Sequence, residues 1–200
     1  SKNYYSNYIT LSHREAVLFV KNQRTIRNKV NCFGIGLHNG AFVNMTLLPA
    51  PIDNGISFRR VAVCGKILGE VKAEYDLVST TFLGTNLVSR DGKMKIATIE
   101  HLMAALWGCG IDNVIVEVDT DELPIMDGSS DHFVFMIESA GIKEQNASRR
   151  FIEVLRKVEI SDGDASAFIA PANDFSVKME ISFDDNVISK QSCDFYANTS

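Results

Sequence analysis

An α+β fold, with helices laid on one face of a mixed or antiparallel sheet, is predicted by three observations. Extended, glycine-punctuated segments fill Thr25 to Val63, two helical patterns follow them, and strand patterns restart past Arg150. The 200 residues are 46% hydrophobic and 22% charged, enough for one sizeable core or two small ones, which excludes wholesale disorder, collagen and coiled coil. The expected organisation is an amino-terminal arm over 1–24, a first two-layer α+β domain over 25–146, and the start of a similar, incomplete second domain over 147–200.

Each element has a local reason. The arm shows no sustained hydrophobic period, and 14–20 could form one short helical turn or strand. Asn39-Gly40 is a hairpin signal because both residues tolerate positive φ, and Asp53-Asn54-Gly55 repeats it before Ile56-Ser57-Phe58, so two hairpins are expected. Ile99, Leu102, Met103 and Leu106 recur on one face of a helix spanning 97–110, with Thr98 as N-cap and Gly108 or Gly110 as stop. Residues 113–118 read as a strand, and 127–131 as a loop with capping residues. A second helix then carries Phe133, Met136, Ile137 and Ala140 on one face and ends at Gly141. The chain turns polar around 145–150 and restarts as strands over 151–160, 167–170 and 175–183. That restart weakly echoes 29–58, as a duplicated β-unit would.

Composition narrows the partners. A net charge of −5, with one small basic cluster at Arg149, Arg150, Arg156 and Lys157, argues against nucleic acid. No apolar run approaches the roughly 18–20 residues of a membrane-spanning helix, and the polar start lacks a secretory n-region, so a cytoplasmic protein is expected. Cys32, Cys64, Cys109 and Cys193 form neither CxxC pairs nor a disulfide-scaffold spacing, which suits a reducing compartment.

Chemistry concentrates in a few places. Glu100 and His101 open the stronger helix, about 100° apart around its axis, with His101 pointing away from the apolar stripe onto a face of Ala104, Ala105 and Gly108. The partial positive charge of a helix N-terminus favours an anionic carboxylate and a neutral imidazole, the metal-binding form. One histidine is not a metal site, however, and a capping glutamate beside a packed histidine is the plainer reading. His38 sits in a glycine-rich turn that could present a side chain or N–H groups to a ligand, or could be only a hairpin. Residues 80–85 could line a pocket or form a sheet strand ending at glycine. His132 reads as a surface or capping residue, and 127–129 lacks the ligand series of a calcium loop. Gly34-x-Gly36 opens no helix and is no dinucleotide fingerprint.

Five stretches together carry a resemblance: Gly34-Ile35-Gly36-Leu37-His38-Asn39-Gly40, Thr80-Thr81-Phe82-Leu83-Gly84-Thr85, Thr98-Ile99-Glu100-His101-Leu102-Met103-Ala104-Ala105-Leu106, Gly110-Ile111-Asp112-Asn113 and Glu122-Leu123-Pro124-Ile125-Met126-Asp127-Gly128-Ser129. In order and spacing, the chain from about Arg24 onward resembles the UDP-3-O-acyl-N-acetylglucosamine deacetylases of lipid A biosynthesis. The resemblance implies zinc-dependent hydrolysis of the acetamide of a UDP-linked acylated glucosamine. It implies that His101 is a Zn2+ ligand and that Glu100 is the carboxylate moving a proton from the attacking water to the leaving amine. Phe82, Leu83 and Gly84 match a strand flanking the active-site cleft, and His38 falls in a loop near it. The family's other zinc ligands come from a His-Lys-x-x-Asp motif that is not among these 200 residues. Three readings follow: part of a deacetylase, a non-catalytic remnant or interaction module, or one half of a split enzyme completed by a second polypeptide.

Overall fold

The computed structural model describes residues 22–184 and 187–197. The expected arm lies outside the described residues as far as residue 21; its last residues begin a strand, β1 (Asn22–Ile26). Two compact units divide the described chain between Arg149 and Arg150.

The larger unit is built on a five-stranded mixed sheet, consistent with the α+β class. Its strands are β2 (Val30–Ile35), β3 (Phe42–Pro49), β4 (Ile56–Val61), β5 (Ile67–Lys72) and β9 (Val114–Val118), in the spatial order β2-β3-β9-β4-β5. The reversal at 36–41 makes the expected β2–β3 hairpin, with Gly40 at φ +64°. The second hairpin is corrected. Asp53 and Gly55 do turn the chain, at φ +61° and +68°, but β3 and β4 never pair, because β9 lies between them, antiparallel to β3 and parallel to β4. Turn chemistry encodes a reversal, not a partner; β9, with Val114, Val116 and Val118 all fully buried, is the apolar strand that belongs in the middle of a sheet.

A small sheet follows, from β6 (Val78–Thr80), β7 (Asn86–Val88) and β8 (Lys95–Ile96). Helix α1 runs Glu100–Gly108 and α2 Asp131–Ala140. The first begins later than the pattern predicts. Thr98 is not its N-cap: its hydroxyl donates to Glu122 Oε1, and Ile99 occupies the N-cap position with no side-chain cap bond. Ala105 is buried with Leu102 and Leu106, so it leaves the open face assigned to His101. In α2 the buried residues are Phe133, Met136, Ile137 and Ala140, as their i, i+3, i+4, i+7 spacing requires, and Gly141 at φ +75° ends the helix. Both helices join one core with Val43, Met45, Leu47, Phe58 and the β9 valines.

The polar stretch around 145–150, where the second domain is expected to start, overlaps a strand, β10 (Ile142–Ser148), antiparallel to β1. Polarity misleads there because a buried amide cluster replaces apolar packing. Asn113, 1% exposed, donates from Nδ2 to Gln23 Oε1 and to Gln145 Oε1, both at 2.8 Å, and accepts the Gly55 N–H at 2.8 Å. Gln23 also donates to Asp53 and Ser148, and Gln145 to the Ala50 carbonyl. Every amide in the cluster is satisfied, which is what makes its burial tolerable.

The other unit contains two hairpins, β11 (Val158–Asp162) with β12 (Ala165–Ile169), and β13 (Ser176–Ser182) with β14 (Lys190–Tyr196). The expected strand over 151–160 starts only at Val158, and β14 escaped the pattern altogether. Cross-strand register puts Val177, Met179, Ile181, Cys193 and Phe195 on one face of the second hairpin. The opposite face carries the ion pairs Lys178–Asp194 (3.6 Å) and Lys190–Glu180 (2.9 Å).

Candidate active site

The first turn of α1 presents Glu100 and His101, both half-buried, from the helix end where unsatisfied N–H groups gather. Glu100 does not cap its own helix: its Oε2 accepts the N–H of Thr85 at 2.9 Å. The Thr85 carbonyl in turn accepts the Ile99 N–H at 3.2 Å, so Thr85 is tied to the helix start through both backbone groups.

Residues 82–85 therefore form a pinned turn between β6 and β7, a correction to the strand expected there. Leu83 takes φ +57°, an unusual conformation for a residue with a Cβ, and such outliers persist only where surroundings hold them. What holds this one is His38, whose Nε2 lies 2.9 Å from the Leu83 carbonyl oxygen. A carbonyl only accepts, so Nε2 carries the proton and donates. Phe82 and Leu83 point their apolar side chains outward, 77% and 69% exposed. Gly84 passes so close to the helix that a Cβ there would stand 3.3 Å from Glu100 Oε1.

The structure thus joins His38 to Leu83 and Thr85 to Glu100 by hydrogen bonds, and brings Gly84 close against Glu100. The His101 imidazole makes no hydrogen bond among the described residues, while its carbonyl accepts the Ser130 hydroxyl at 2.9 Å, locking α1 to the start of α2. His132 lies elsewhere, with Nδ1 3.3 Å from Asp127. The backbone N–H and hydroxyl of Ser129, and then His132, hold the Asp127 carboxyl below the usual carboxylate range. The sequence pattern assigned no site role to three residues that build the site: Thr85, Thr98, read only as an N-cap, and the buried Glu122. Glu122 meets His38 across 84 positions of chain, and no local pattern signals such a contact.

As a donor set, a half-buried imidazole with no competing partner suits one metal ligand. Among the described residues no three His, Cys, Asp or Glu side chains converge, so within them His101 fits one corner of a centre and not a whole one.

A carboxylate and an imidazole thus stand together at a helix start, beside a strained, apolar turn, in a sheet-and-helix unit of the α+β class. The model of the family UDP-3-O-acyl N-acetylglycosamine deacetylase matches residues 23–200, and the chain belongs to that family. Among its relatives are the UDP-3-O-acyl-N-acetylglucosamine deacetylases of Teredinibacter turnerae, Saccharophagus degradans and Stenotrophomonas maltophilia. The first is 48% identical over 172 residues, 86% of this chain and 55% of the relative. The second is 48% identical over 162 residues (81% and 52%), and the third 48% over 171 (85% and 55%). The chain spans about half the length of the curated relatives it matches. Those relatives carry the additional length within one polypeptide, so nothing in them calls for a second chain. Among the described residues no helix is long and apolar enough to cross a membrane.

Proposed function

We propose that this chain is the portion of a cytoplasmic lipid A biosynthetic deacetylase that supplies the proton-transfer carboxylate and one zinc ligand for hydrolysing the acetamide of a UDP-linked, 3-O-acylated N-acetylglucosamine. The observation that carries the reading is Glu100: its Oε2 is held by Thr85 while Oε1 makes no hydrogen bond among the described residues and faces the Gly84 turn. A carboxylate fixed by one oxygen and open at the other is placed to move a proton. Water attacks the acetyl carbonyl carbon and gives its proton to Glu100. When the C–N bond breaks, Glu100 returns the proton to the departing amine, and acetate is the other product.

His101 would hold the Zn2+, which when bound polarises the acetyl carbonyl and makes water more acidic. His38 holds the Leu83 carbonyl and the turn, and Phe82 and Leu83 present apolar surface to the acylated sugar. The test is elemental analysis and deacetylation of the UDP-linked substrate by the full-length protein. Glu100→Ala should nearly abolish turnover with zinc retained, and His101→Ala should lose zinc. Full activity in the Glu100 variant would remove it from the mechanism.

A further inference from the structure

We propose that Glu122 is a positioning residue for this site, fixing His38 on the Leu83 carbonyl while anchoring the segment that enters α1; the inference rests on the deacetylase reading. Glu122 is 2% exposed, and a buried carboxylate is tolerable only when donors surround it. Three groups do so. His38 N–H reaches Oε1 at 2.9 Å and Oε2 at 3.3 Å, Asn39 N–H reaches Oε2 at 3.1 Å, and the Thr98 hydroxyl reaches Oε1 at 3.2 Å.

These donors come from both halves of the site. The turn at 36–41 wraps the carboxylate so closely that a Cβ at Gly36 would stand 2.7 Å from Glu122 Oε2. On the other side, Ala97 donates to the Asp121 carbonyl at 2.8 Å and accepts from Leu123 at 3.1 Å, fastening the segment before α1 alongside Glu122. Thr98, the next residue, is β-branched at φ +60°, where such residues are genuine outliers, and its hydroxyl bond to Glu122 helps keep it there. One side chain thus fixes both the turn that aims His38 at Leu83 and the segment that delivers Glu100 and His101. Both oxygens accept N–H groups, so an amide of the same shape would turn its NH2 toward a backbone donor and release one side of the clamp.

The experiment uses the full-length protein carrying Glu122→Gln, His38→Ala, the double variant and Thr98→Val. Deacetylation kinetics, zinc content and the imidazole 15N spectrum of His38 are the readouts. Glu122→Gln is expected to lower kcat at least about tenfold with zinc retained, as loss of an orienting partner does elsewhere. It should add little on the His38→Ala background, and His38 should lose its Nε2-protonated signature. Thr98→Val should shift the same signature less. Unchanged kcat and an unchanged His38 spectrum in Glu122→Gln, or a loss that multiplies fully with that of His38→Ala, would overturn the proposal. If Glu122→Gln does not fold, an unaltered His38 spectrum in Thr98→Val overturns it by itself. A wild-type protein without deacetylation would instead defeat the function reading, and the nitrogen spectrum would then judge the clamp alone.

Discussion

Thr85 donates its backbone N–H to Glu100 Oε2 at 2.9 Å, and Gly84, the residue before it, passes where a Cβ would lie 3.3 Å from the other oxygen. The φ of +154° at Gly84 is one that residues with side chains rarely adopt. We expect Gly84→Ala to crowd Glu100 and tilt the turn it depends on. On the proposed role of Glu100, turnover in the full-length protein should fall about tenfold or more, since misplacing a proton-transfer group by a fraction of an ångström is costly. Urea unfolding should show a loss of only about 1 kcal/mol, the scale of local backbone strain. Undiminished turnover would mean that the gap beside Oε1 is not used.

Asn113 is the centre of the amide cluster, so its removal should be felt in stability and not in chemistry. Asn113→Ala leaves Gly55 N–H, Gln23 Oε1 and Gln145 Oε1 each short of a bond in a buried place. A loss of about 2–3 kcal/mol is expected, the cost of stranded buried polar groups. Equilibrium urea unfolding of wild type and variant measures it. A change below about 0.5 kcal/mol would mean that water replaces the amide freely.

The four cysteines should react in an order set by burial. Desolvation pushes the Cys32 thiol up to about 11, and it raises Cys109 as well, whereas Cys64 and Cys193 are exposed. Because the thiolate is the nucleophile, alkylation of native protein near pH 8 should modify Cys64 and Cys193 first. The Cys32 rate should keep climbing with pH toward about 11, past the point where an ordinary thiol levels off. Mass spectrometry of iodoacetamide-treated samples resolves the order, and early labelling of Cys32 would show that β2 opens readily.

What the sequence made legible divides along physical lines. The α2 face was readable because periodicity is a property of consecutive residues, and Phe133, Met136, Ile137 and Ala140 are the buried set. The β4 partner was not, since the strand that separates it from β3 comes more than fifty residues later and arrives through α1. Polar β10 gave no strand pattern because its residues are exposed or half-buried and Gln145 is tied in by a hydrogen bond from Asn113. At the candidate site, Glu100 and His38 stood out as residues by their helix start and glycine-rich turn, while Glu122 was quoted only within a motif: its partners His38 and Thr98 become neighbours only after folding.

Asp127 offers a test of local electrostatics away from the turn at 82–85. Its carboxyl is held below the ordinary range first by the Ser129 backbone N–H, next by the Ser129 hydroxyl, and then by His132. A carboxylate depressed in the folded state stabilises the fold above its unfolded value, about 3.9, and that contribution disappears as pH falls through the lower folded value. Ser129→Ala removes the hydroxyl and keeps the backbone bond, so the Asp127 midpoint should rise only part of the way back. His132→Ala should raise it less. Carboxyl carbon chemical shifts followed through an acid titration report both midpoints, and a larger rise in the His132 variant would make the ion pair, not the turn, the dominant cause.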